Sequence, residues 1–188
     1  MKKLPLKLNT WQTLSKKEIF DNPWIHVEAH DVVNPNGGKG DYGVIHFKNL
    51  AIGIIPLDDE LNTWIVGQWR YPLGHYSWEI PEGGGKLNVE PIESAKRELL
   101  EETGIKAKHW DKVLEMDLSN SVSDERGYVF VARGLEFGEA QPDEDEDLEI
   151  KKIPFEELYQ RTVNGEIRDG LAVAGILRVK LMIDHNEI

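Results

Sequence analysis

The sequence contains no cysteine, which excludes disulfide bonds and thiolate metal sites. It also lacks any apolar run near the roughly 18 residues that would span a membrane. The first ten residues carry lysines but not the apolar segment of a secretory signal. We therefore expect a cytoplasmic protein that does not associate with a membrane. Its 188 residues suit one α/β or α+β domain with a small N-terminal extension.

Positive charge is scarce as well. There are 22 Lys and Arg residues against 34 Asp and Glu residues, and the formal net charge is -12. Because general nucleic-acid binding depends on basic side chains that face phosphates, we expect no nucleic-acid partner. An acidic enzyme can still bind an anionic substrate when metal ions screen the carboxylates of its site.

Residues 83–105, GGGKLNVEPIESAKRELLEETGI, predict a helix with one acidic face. Glu98, Glu101 and Glu102 stand at i, i+3 and i+4, so three carboxylates crowd that face. Like charges at this spacing destabilise a helix by about 0.2–0.5 kcal/mol per pair. A hard divalent cation with oxygen ligands is the natural counter-charge. A solvated acidic surface helix is the alternative interpretation.

The sequence also indicates where this helix begins and ends. Pro91 suits the first helical turn, and Gly104 suits the left-handed position just after the last turn. The glycine triplet 83–85 predicts a loop that turns sharply or lets the backbone approach a ligand closely. The face opposite the carboxylates is apolar and should pack against a core; it consists of Ile92, Ala95 and Leu99.

At these residues the chain resembles the Nudix hydrolases. Their box reads Gly, five residues, Glu, seven residues, Arg-Glu, an aliphatic residue, any residue, Glu-Glu, any residue, Gly and an aliphatic residue. Val89 stands where the pattern has its first Glu, which in the family mainly helps to hold the Arg, and Glu90 lies beside it. The matching positions are Gly83, Arg97, Glu98, Leu99, Glu101, Glu102, Gly104 and Ile105.

The resemblance implies a site for Mg²⁺, with Mn²⁺ as the other candidate. Glu98 and Glu102 would be the principal ligands, and Glu101 would act directly or through water. Arg97 would orient these glutamates rather than touch the substrate. Glu82 would ligate the metal through its backbone carbonyl, as the residue before the box glycine does in one branch of the family.

That branch comprises the ADP-ribose and ADP-sugar pyrophosphatases, which residues 68–83 resemble. It has Gln-x-Arg at the end of a strand and Glu-x-Pro-x-Gly leading into the box, as in residues 68–70 and 79–83 here. The resemblance implies that Arg70 contacts a substrate phosphate, for which its planar charged fork is well suited. Glu79 would lie near the metals or the ribose. A surface ion pair is the alternative for Arg70.

Two later segments bear on the substrate and on the general base. ADP-ribose pyrophosphatases often have Ser-Pro-Gly where this chain has Ser119, Asn120 and Ser121, which weakens the prediction of ADP-ribose itself. The acidic run 142–149 corresponds to a loop of the branch whose glutamate reaches the metals or the attacking water. Glu144 and Glu146 are therefore the candidate general bases, and a solvated acidic loop is the alternative.

The resemblance implies an α/β fold, a Nudix-type α/β/α sandwich with a mixed sheet in residues 49–188, plus a small N-terminal β-extension in residues 1–48. Alternation and apolar runs predict a hairpin of 24–32 and 42–47 around a turn at 34–38. Further strands are predicted at 51–56, 63–69, 113–118, 127–132 and 148–153. Two helices should close the chain, one from 154 to a break at 164–165 and one over 170–183. The apolar side of the last helix would consist of Leu171, Ala174, Ile176, Leu177 and Leu181.

The branch usually forms dimers whose N-terminal strands reach the partner's site. We therefore expect a homodimer with residues 1–48 as the dimerisation element, and Trp24 as a residue that stacks on the substrate base. The six histidines are scattered without a metal-ligand spacing, and we expect them to be structural or exposed.

These observations lead to one main functional hypothesis. The chain would hydrolyse the diphosphate linkage of a nucleoside diphosphate-X, in the first place ADP-ribose or another ADP-sugar, giving a nucleoside monophosphate and phosphorylated X. The alternative substrates are GDP-mannose, a dinucleoside polyphosphate and NADH. A catalytically inactive nucleotide-sugar-binding module is the alternative outside enzymes.

Overall fold

The computed structural model describes residue 5 and residues 7–140 and 147–188. Glu144 and Glu146 lie outside the described residues. The chain divides into two compact units. The N-terminal unit comprises the chain up to Lys48 together with Ser119–Asp124, and the larger unit comprises Asn49–Leu118 and Glu125–Ile188. The assignment of a dimerisation domain to residues 1–48 stays a prediction.

The N-terminal unit contains a three-stranded antiparallel sheet in the order β1-β2-β3. Its strands are β1 (Gln12–Asp21), β2 (Ile25–Val33) and β3 (Lys39–Phe47). The predicted hairpin corresponds to β2 and β3, and Asn34 closes their turn by accepting hydrogen bonds from the amides of Asn36 and Gly38. Strand β1 was not anticipated, because all ten of its residues are exposed and its sequence does not alternate.

The described residues of the larger unit form two sheets and three helices. One sheet has the order β7-β4-β9-β8 and is mixed, because β4 runs parallel to β9 whereas the other pairs are antiparallel. The second sheet has the order β10-β5-β6. In chain order the elements are β4 (Asn49–Leu57), β5 (Asn62–Arg70), β6 (His75–Glu79), β7 (Glu82–Lys86), α1 (Pro91–Thr103), β8 (Ile105–Asp117), β9 (Arg126–Phe137), β10 (Glu149–Pro154), α2 (Phe155–Val163) and α3 (Gly170–Asp184).

Alternating residues of β4 and β9 point into two different cores. On one side, Ile52 and Ile54 of β4 pack in the cluster that contains Ala95 and Leu99 of α1. On the other side, residues 55 and 57 of β4 pack in the cluster that contains α2 and α3. Because both faces of the two strands are buried, they read as continuous apolar runs. The predicted α/β/α sandwich with a mixed sheet is therefore confirmed.

Several details of the larger unit differ from the sequence-based expectations. The glycine triplet 83–85 lies in strand β7 rather than in a loop, and β6 was not anticipated. Strand β8 begins at Ile105, well before the predicted residue 113. The predicted apolar side of α3 was partly wrong, since Leu177 and Leu181 are exposed. This helix is apolar around most of its circumference, so its periodicity does not reveal the buried face, which comprises Leu171, Ala172, Gly175, Ile176, Val179 and Met182.

None of the helices in the part of the chain that the structure describes combines the length and the apolar character needed to cross a membrane.

Candidate active site

Helix α1 presents two of its carboxylates to strand β7. Glu98 and Glu102 are only 8% and 1% exposed, although both carry ionisable side chains. Gly83 of β7 makes this packing possible, because a Cβ atom at this position would overlap the Glu98 carboxyl group. The amide of Glu82 donates a hydrogen bond to Glu102 Oε2 at 3.0 Å. The helix and the strand therefore bring Glu82, Glu98 and Glu102 together.

The ends of α1 fix this arrangement. Pro91 occupies the first helical turn, and Gly104 adopts the left-handed conformation (φ 71°) while its amide bonds to the Leu100 carbonyl. A side chain at residue 104 would also collide with the backbone at Gly138. Ala95 and Leu99 are fully buried on the opposite face. Apolar burial on one side thus holds the carboxylates on the other side against β7.

Arg97 lies across the exposed edge of this carboxylate group. Its Nη1 donates to Glu101 Oε2 at 2.5 Å, and its Nη2 donates to the Gly84 carbonyl at 2.8 Å and to Glu98. The guanidinium is therefore held by three groups without a contribution from the side chain at residue 89. This accounts for the tolerance of Val89 at the position where the Nudix box has its first Glu.

Arg70 and Glu79 lie side by side at the end of strands β5 and β6. Arg70 Nε lies 3.1 and 3.0 Å from the two oxygens of Glu79, which is only 2% exposed. Arg70 Nη2 also donates to Glu82 Oε1 at 2.7 Å. In this structure the guanidinium is thus shared between two carboxylates, and the pair of residues predicted from the branch resemblance is in direct contact.

A cavity of about 480 Å³ opens beside this contact. Its charged lining combines two arginines with three carboxylates. Its lining residues are Arg70, Pro72, Leu73, His75, Ser77, Glu79, Glu82, Arg168, Asp169 and Gly170.

Sequence reasoning missed Asp169, although a signal was present. An Asp directly before a glycine and an apolar periodic segment is typical of a helix N-cap. Asp169 indeed caps α3, since its Oδ1 accepts from the Ala172 amide at 2.7 Å. Arg168, beside it, contacts Nε2 of His75 at 2.8 Å.

Asp169 also affects the protonation of its neighbours. Burial is the largest cause that raises the pKa of Glu82 well above its usual value, and the charges of Asp169 and Glu79 raise it further. The positive charge of Arg70 lowers this pKa but does not outweigh them. Burial and then the charge of Asp169 raise the pKa of Glu125. Crowded carboxylates whose pKa values rise are typical of sites that bind cations or handle protons.

The residues of α1 and β7 fit a divalent cation. Their donor set consists of carboxylate oxygens and backbone carbonyls, which are the ligands preferred by Mg²⁺ and Mn²⁺. Because Gly83 has no Cβ atom, the Glu98 carboxylate can lie directly against strand β7. Buried carboxylates this close together repel one another unless a cation is near. A divalent ion therefore suits the chemistry of these donors.

The other predicted site residues are Trp24, Glu144 and Glu146. Trp24 belongs to the N-terminal unit, where its ring is 65% exposed. Its backbone is held on both sides, since its amide bonds to Asn22 Oδ1 at 2.9 Å and its carbonyl accepts from Lys48 at 2.9 Å. Glu144 and Glu146 lie outside the described residues.

Two histidines that lie far apart in the sequence come together in the N-terminal unit. The structure brings His30 and His46 together with Glu28, and one donor atom of each lies within 4.8 Å of the others. The available signal was the alternation of His26, Glu28 and His30 along one strand, which places all three on one face.

Comparisons with known proteins agree with this geometry. A family model described as the NUDIX domain matches residues 47–172, and one described as the nucleoside diphosphate sugar hydrolase N-terminal domain matches residues 11–45. The chain is 32% identical over 173 residues to an ADP-ribose pyrophosphatase of Mycobacterium tuberculosis, covering 90% of this chain and 83% of that protein. It is 31% identical over 172 residues to an ADP-ribose pyrophosphatase of Bacillus subtilis, covering 90% and 92%.

Two further similarities widen the comparison. A GDP-mannose pyrophosphatase of Pectobacterium atrosepticum is 27% identical over 181 residues, with 84% of this chain and 88% of that protein covered. The crystal structure of an ADP compounds hydrolase shares the fold with a TM-score of 0.85 at 18% identity, covering 97% of this chain and 98% of that one.

The fold, the carboxylates of helix α1 and the comparisons together show that the chain is a pyrophosphohydrolase. The chain belongs to the Nudix family, and within it to the group of ADP-ribose and ADP-sugar pyrophosphatases.

Proposed function

We propose that this enzyme hydrolyses the diphosphate linkage of ADP-ribose or another ADP-sugar with the help of Mg²⁺. The products are AMP and the phosphorylated sugar. One observation carries the proposal. The structure brings the carboxylates of Glu98 and Glu102 next to Glu82, and Glu82 in turn contacts Arg70 at a cavity of about 480 Å³. A cavity of this volume suits a nucleotide-sized ligand.

The charge of the cavity supports metal dependence. Glu79, Glu82 and Asp169 line it, and they would repel a diphosphate in the absence of further cations. When bound, divalent cations neutralise the diphosphate oxygens and acidify the attacking water. Mn²⁺ satisfies the same oxygen donors and is the alternative ion.

The roles of the residues follow from their contacts. Glu98 and Glu102 would hold the metal, together with Glu101 and the backbone carbonyl of Glu82. Arg97, which already bonds to Glu98 and Glu101, would orient these ligands.

Residues at the ends of strands β5 and β6 would position the substrate. Arg70 would exchange part of its contact with Glu79 and Glu82 for a phosphate oxygen. Its charged fork can serve a carboxylate and a phosphate at once. Glu79 would then lie near the metals or near the ribose of the substrate.

The proton of the attacking water requires a general base. We assign this role to Glu144, with Glu146 second, because both occupy the acidic segment that the branch uses for this purpose. Glu125 is the alternative within the described residues, because burial and the charge of Asp169 raise its pKa, as is common for carboxylates at functional sites.

A substrate panel tests the proposal. The purified protein is incubated with Mg²⁺ and with ADP-ribose, ADP-glucose, GDP-mannose, UDP-glucose, a dinucleoside polyphosphate and NADH, and the released monophosphate is measured. The highest kcat/KM is expected for an ADP-sugar, and chelation should abolish turnover. Turnover without a divalent ion, or none with any compound, contradicts the proposal.

Nucleoside diphosphate sugars with another base are the second candidate. They are favoured by Asn120 and Ser121, which replace the Pro-Gly often found in ADP-ribose pyrophosphatases. The match of residues 11–45 to a nucleoside diphosphate sugar hydrolase N-terminal domain favours them too. A higher kcat/KM for GDP-mannose or UDP-glucose than for every ADP-sugar would select this candidate.

We further propose that the enzyme acts as a cytoplasmic homodimer. All of β1 is exposed, and Leu14, Ile19 and Phe20 are apolar side chains on a strand with an open edge. Such edges pair readily with another strand. In the dimer Trp24 would stack on the base of the substrate held by the partner subunit.

A further inference from the structure

Three imidazole rings converge on one carboxylate in the N-terminal unit. His26, Glu28 and His30 alternate along β2 and therefore point to the same face of the sheet. In the register of β2 and β3, His46 lies directly opposite His26 and shares that face. The rings of His26 and His46 are stacked with centroids 6.0 Å apart. Strand geometry alone thus gathers four side chains with metal-ligating atoms.

The ring nitrogens of this cluster meet at Glu28. His30 Nε2 lies 2.7 Å and His46 Nε2 lies 3.3 Å from Glu28 Oε2. His26 Nε2 lies 3.5 Å from the other oxygen, Oε1. The side chain of His30 is 10% exposed, so the cluster is partly withdrawn from solvent. The Nε2 atoms of His30 and His46 therefore approach the same oxygen of Glu28, and that of His26 approaches the other oxygen.

The opposite nitrogens of two rings are held by further carboxylates. His46 Nδ1 lies 2.6 Å from Asp124 Oδ2, and His26 Nδ1 lies 3.1 Å from Asp21 Oδ1. Asp124 is itself fixed, because its Oδ1 accepts from the Phe47 amide at 3.0 Å. An imidazole that ligates a metal almost always donates its other N–H to such a partner. The cluster therefore has the outer hydrogen bonds of a metal site as well as its ligands.

We propose that Glu28, His30 and His46, whose donor atoms lie within 4.8 Å of one another, bind a divalent transition-metal ion of the Zn²⁺ type. Imidazole nitrogens combined with one carboxylate oxygen are the donors that Zn²⁺ and its neighbours Co²⁺ and Ni²⁺ prefer. The oxygen-only set on α1 instead suits Mg²⁺. The chain thus carries two donor sets of different chemistry, one in each of its two units.

A network of ion pairs is the competing explanation of the cluster. Lys16 Nζ lies 3.1 Å from Glu28 Oε2, and protonated histidines would pair with the surrounding carboxylates. The Lys16 side chain is 53% exposed and can turn away into solvent when an ion takes its place. The two explanations differ in a measurable way, because only a metal site discriminates between Zn²⁺ and Mg²⁺.

The test is calorimetric titration of the full-length, chelator-treated protein with Zn²⁺ in a large excess of Mg²⁺. The Mg²⁺ occupies the carboxylates of α1, so that the titration reports the histidine cluster. We expect one saturable site. Glu28→Gln and His46→Ala should each weaken Zn²⁺ binding at least about 100-fold, and Asp124→Asn should weaken it about 10-fold.

Two controls separate this site from others. His185→Ala removes an exposed histidine at the end of α3, and Glu98→Gln alters the proposed Mg²⁺ site; both should bind Zn²⁺ like the wild type. Circular dichroism checks that each variant is folded. If His46→Ala does not fold, the nearly isosteric variants Glu28→Gln and Asp124→Asn provide the test on their own. No saturable Zn²⁺ binding by the wild type, equal affinities in wild type and Glu28→Gln, or a loss that follows Glu98→Gln instead would each overturn the proposal.

Discussion

The carboxylate of Glu98 occupies the place where a side chain at residue 83 would begin. Strand β7 and helix α1 can approach this closely only because Gly83 has no Cβ atom. The glycine of the box therefore acts here through steric fit, within an extended strand, rather than through the bending of a loop.

Gly83→Ala should displace Glu98 and lower activity more than stability. We expect kcat/KM to fall at least about 10-fold, since a small misplacement of a catalytic group is costly, while the free energy of unfolding falls by about 1–3 kcal/mol. Gly84→Ala is the matched control, because its nearest neighbour, Asn49, lies at an ordinary 3.8 Å. Steady-state kinetics measure kcat/KM, and urea unfolding measures the free energy of unfolding of both variants. Equal effects of the two variants would contradict the steric role of Gly83.

The carboxylates of α1 should be indispensable for turnover. Glu98→Gln or Glu102→Gln is expected to lower kcat at least about 100-fold, because each removes a proposed ligand of the metal. Glu93→Gln is the control on the same helix, where Glu93 is exposed and pairs with Lys96 at 2.7 Å. Near-native turnover of either ligand variant at saturating Mg²⁺ would show that α1 is not the metal platform.

Only one residue of the acidic segment should matter strongly. We expect Glu144→Gln to lower kcat at least about 100-fold with little dependence on salt, as for a positioned base. Glu146→Gln, Asp143→Asn and Asp147→Asn should have small effects that salt screens. The measurement is kcat at low and high ionic strength. Four similar, modest losses would exclude a base in this segment and direct the search to Glu125 or Glu101.

Trp24 should affect substrate binding through the dimer. Trp24→Ala is expected to weaken binding by about 1–3 kcal/mol, the value of stacking on a base. The control is Trp11→Ala, because Trp11 packs edge-on against Tyr42 at 5.5 Å within its own unit. Analytical ultracentrifugation checks the assembly. A monomer that is fully active at nanomolar concentration would refute both the dimer and this role.

Asp58 should make the larger unit more stable at neutral pH than in acid. Burial raises its pKa, but hydrogen bonds from Lys152 and Asn62 and from backbone amides outweigh burial and lower it to about 2. Because the folded-state pKa lies below the unfolded value of about 3.9, the stabilisation is present above pH 4 and is lost as the pH falls toward 2.

The corresponding test compares Asp58→Asn with Asp59→Asn, an exposed neighbour in the same turn. At pH 7, Asp58→Asn should cost about 1–2 kcal/mol, as expected for hydrogen bonds to a charged group, and Asp59→Asn little. Thermal unfolding from pH 7 to pH 2.5 should show the difference shrinking. A difference that is constant with pH would mean that the charge of Asp58 contributes nothing.

The sequence predicted the structure best where local signals agree. Helix α1 was predicted closely because its periodicity, Pro91 and Gly104 all indicate the same boundaries. Strand β7 was not predicted, because glycine has low strand propensity and only the packing against Glu98 explains it. The buried face of α3 was missed because the helix is apolar nearly all round.

Residues assembled from distant segments were the hardest to foresee. The contact between His46 and Asp124 depends on the register of β3 and on the segment 119–124 beside it. Likewise, the effect of Asp169 on Glu82 arises from the packing of α3. No periodicity within a single element encodes such contacts, whereas a motif such as the box stays within one helix and its flanks.

The parallel pairing of β4 with β9 has a consequence for how the larger unit folds. Ala51 pairs with Gly127, so most of the domain's chain forms a loop that must close before these strands meet. Closing a long loop costs entropy that is recovered only when both flanking cores are buried, and such long-range pairing slows folding. Helix α1 lies within that loop. We therefore expect the geometry of its carboxylates to be acquired late, so that refolding kinetics followed by activity should lag behind those followed by helix content.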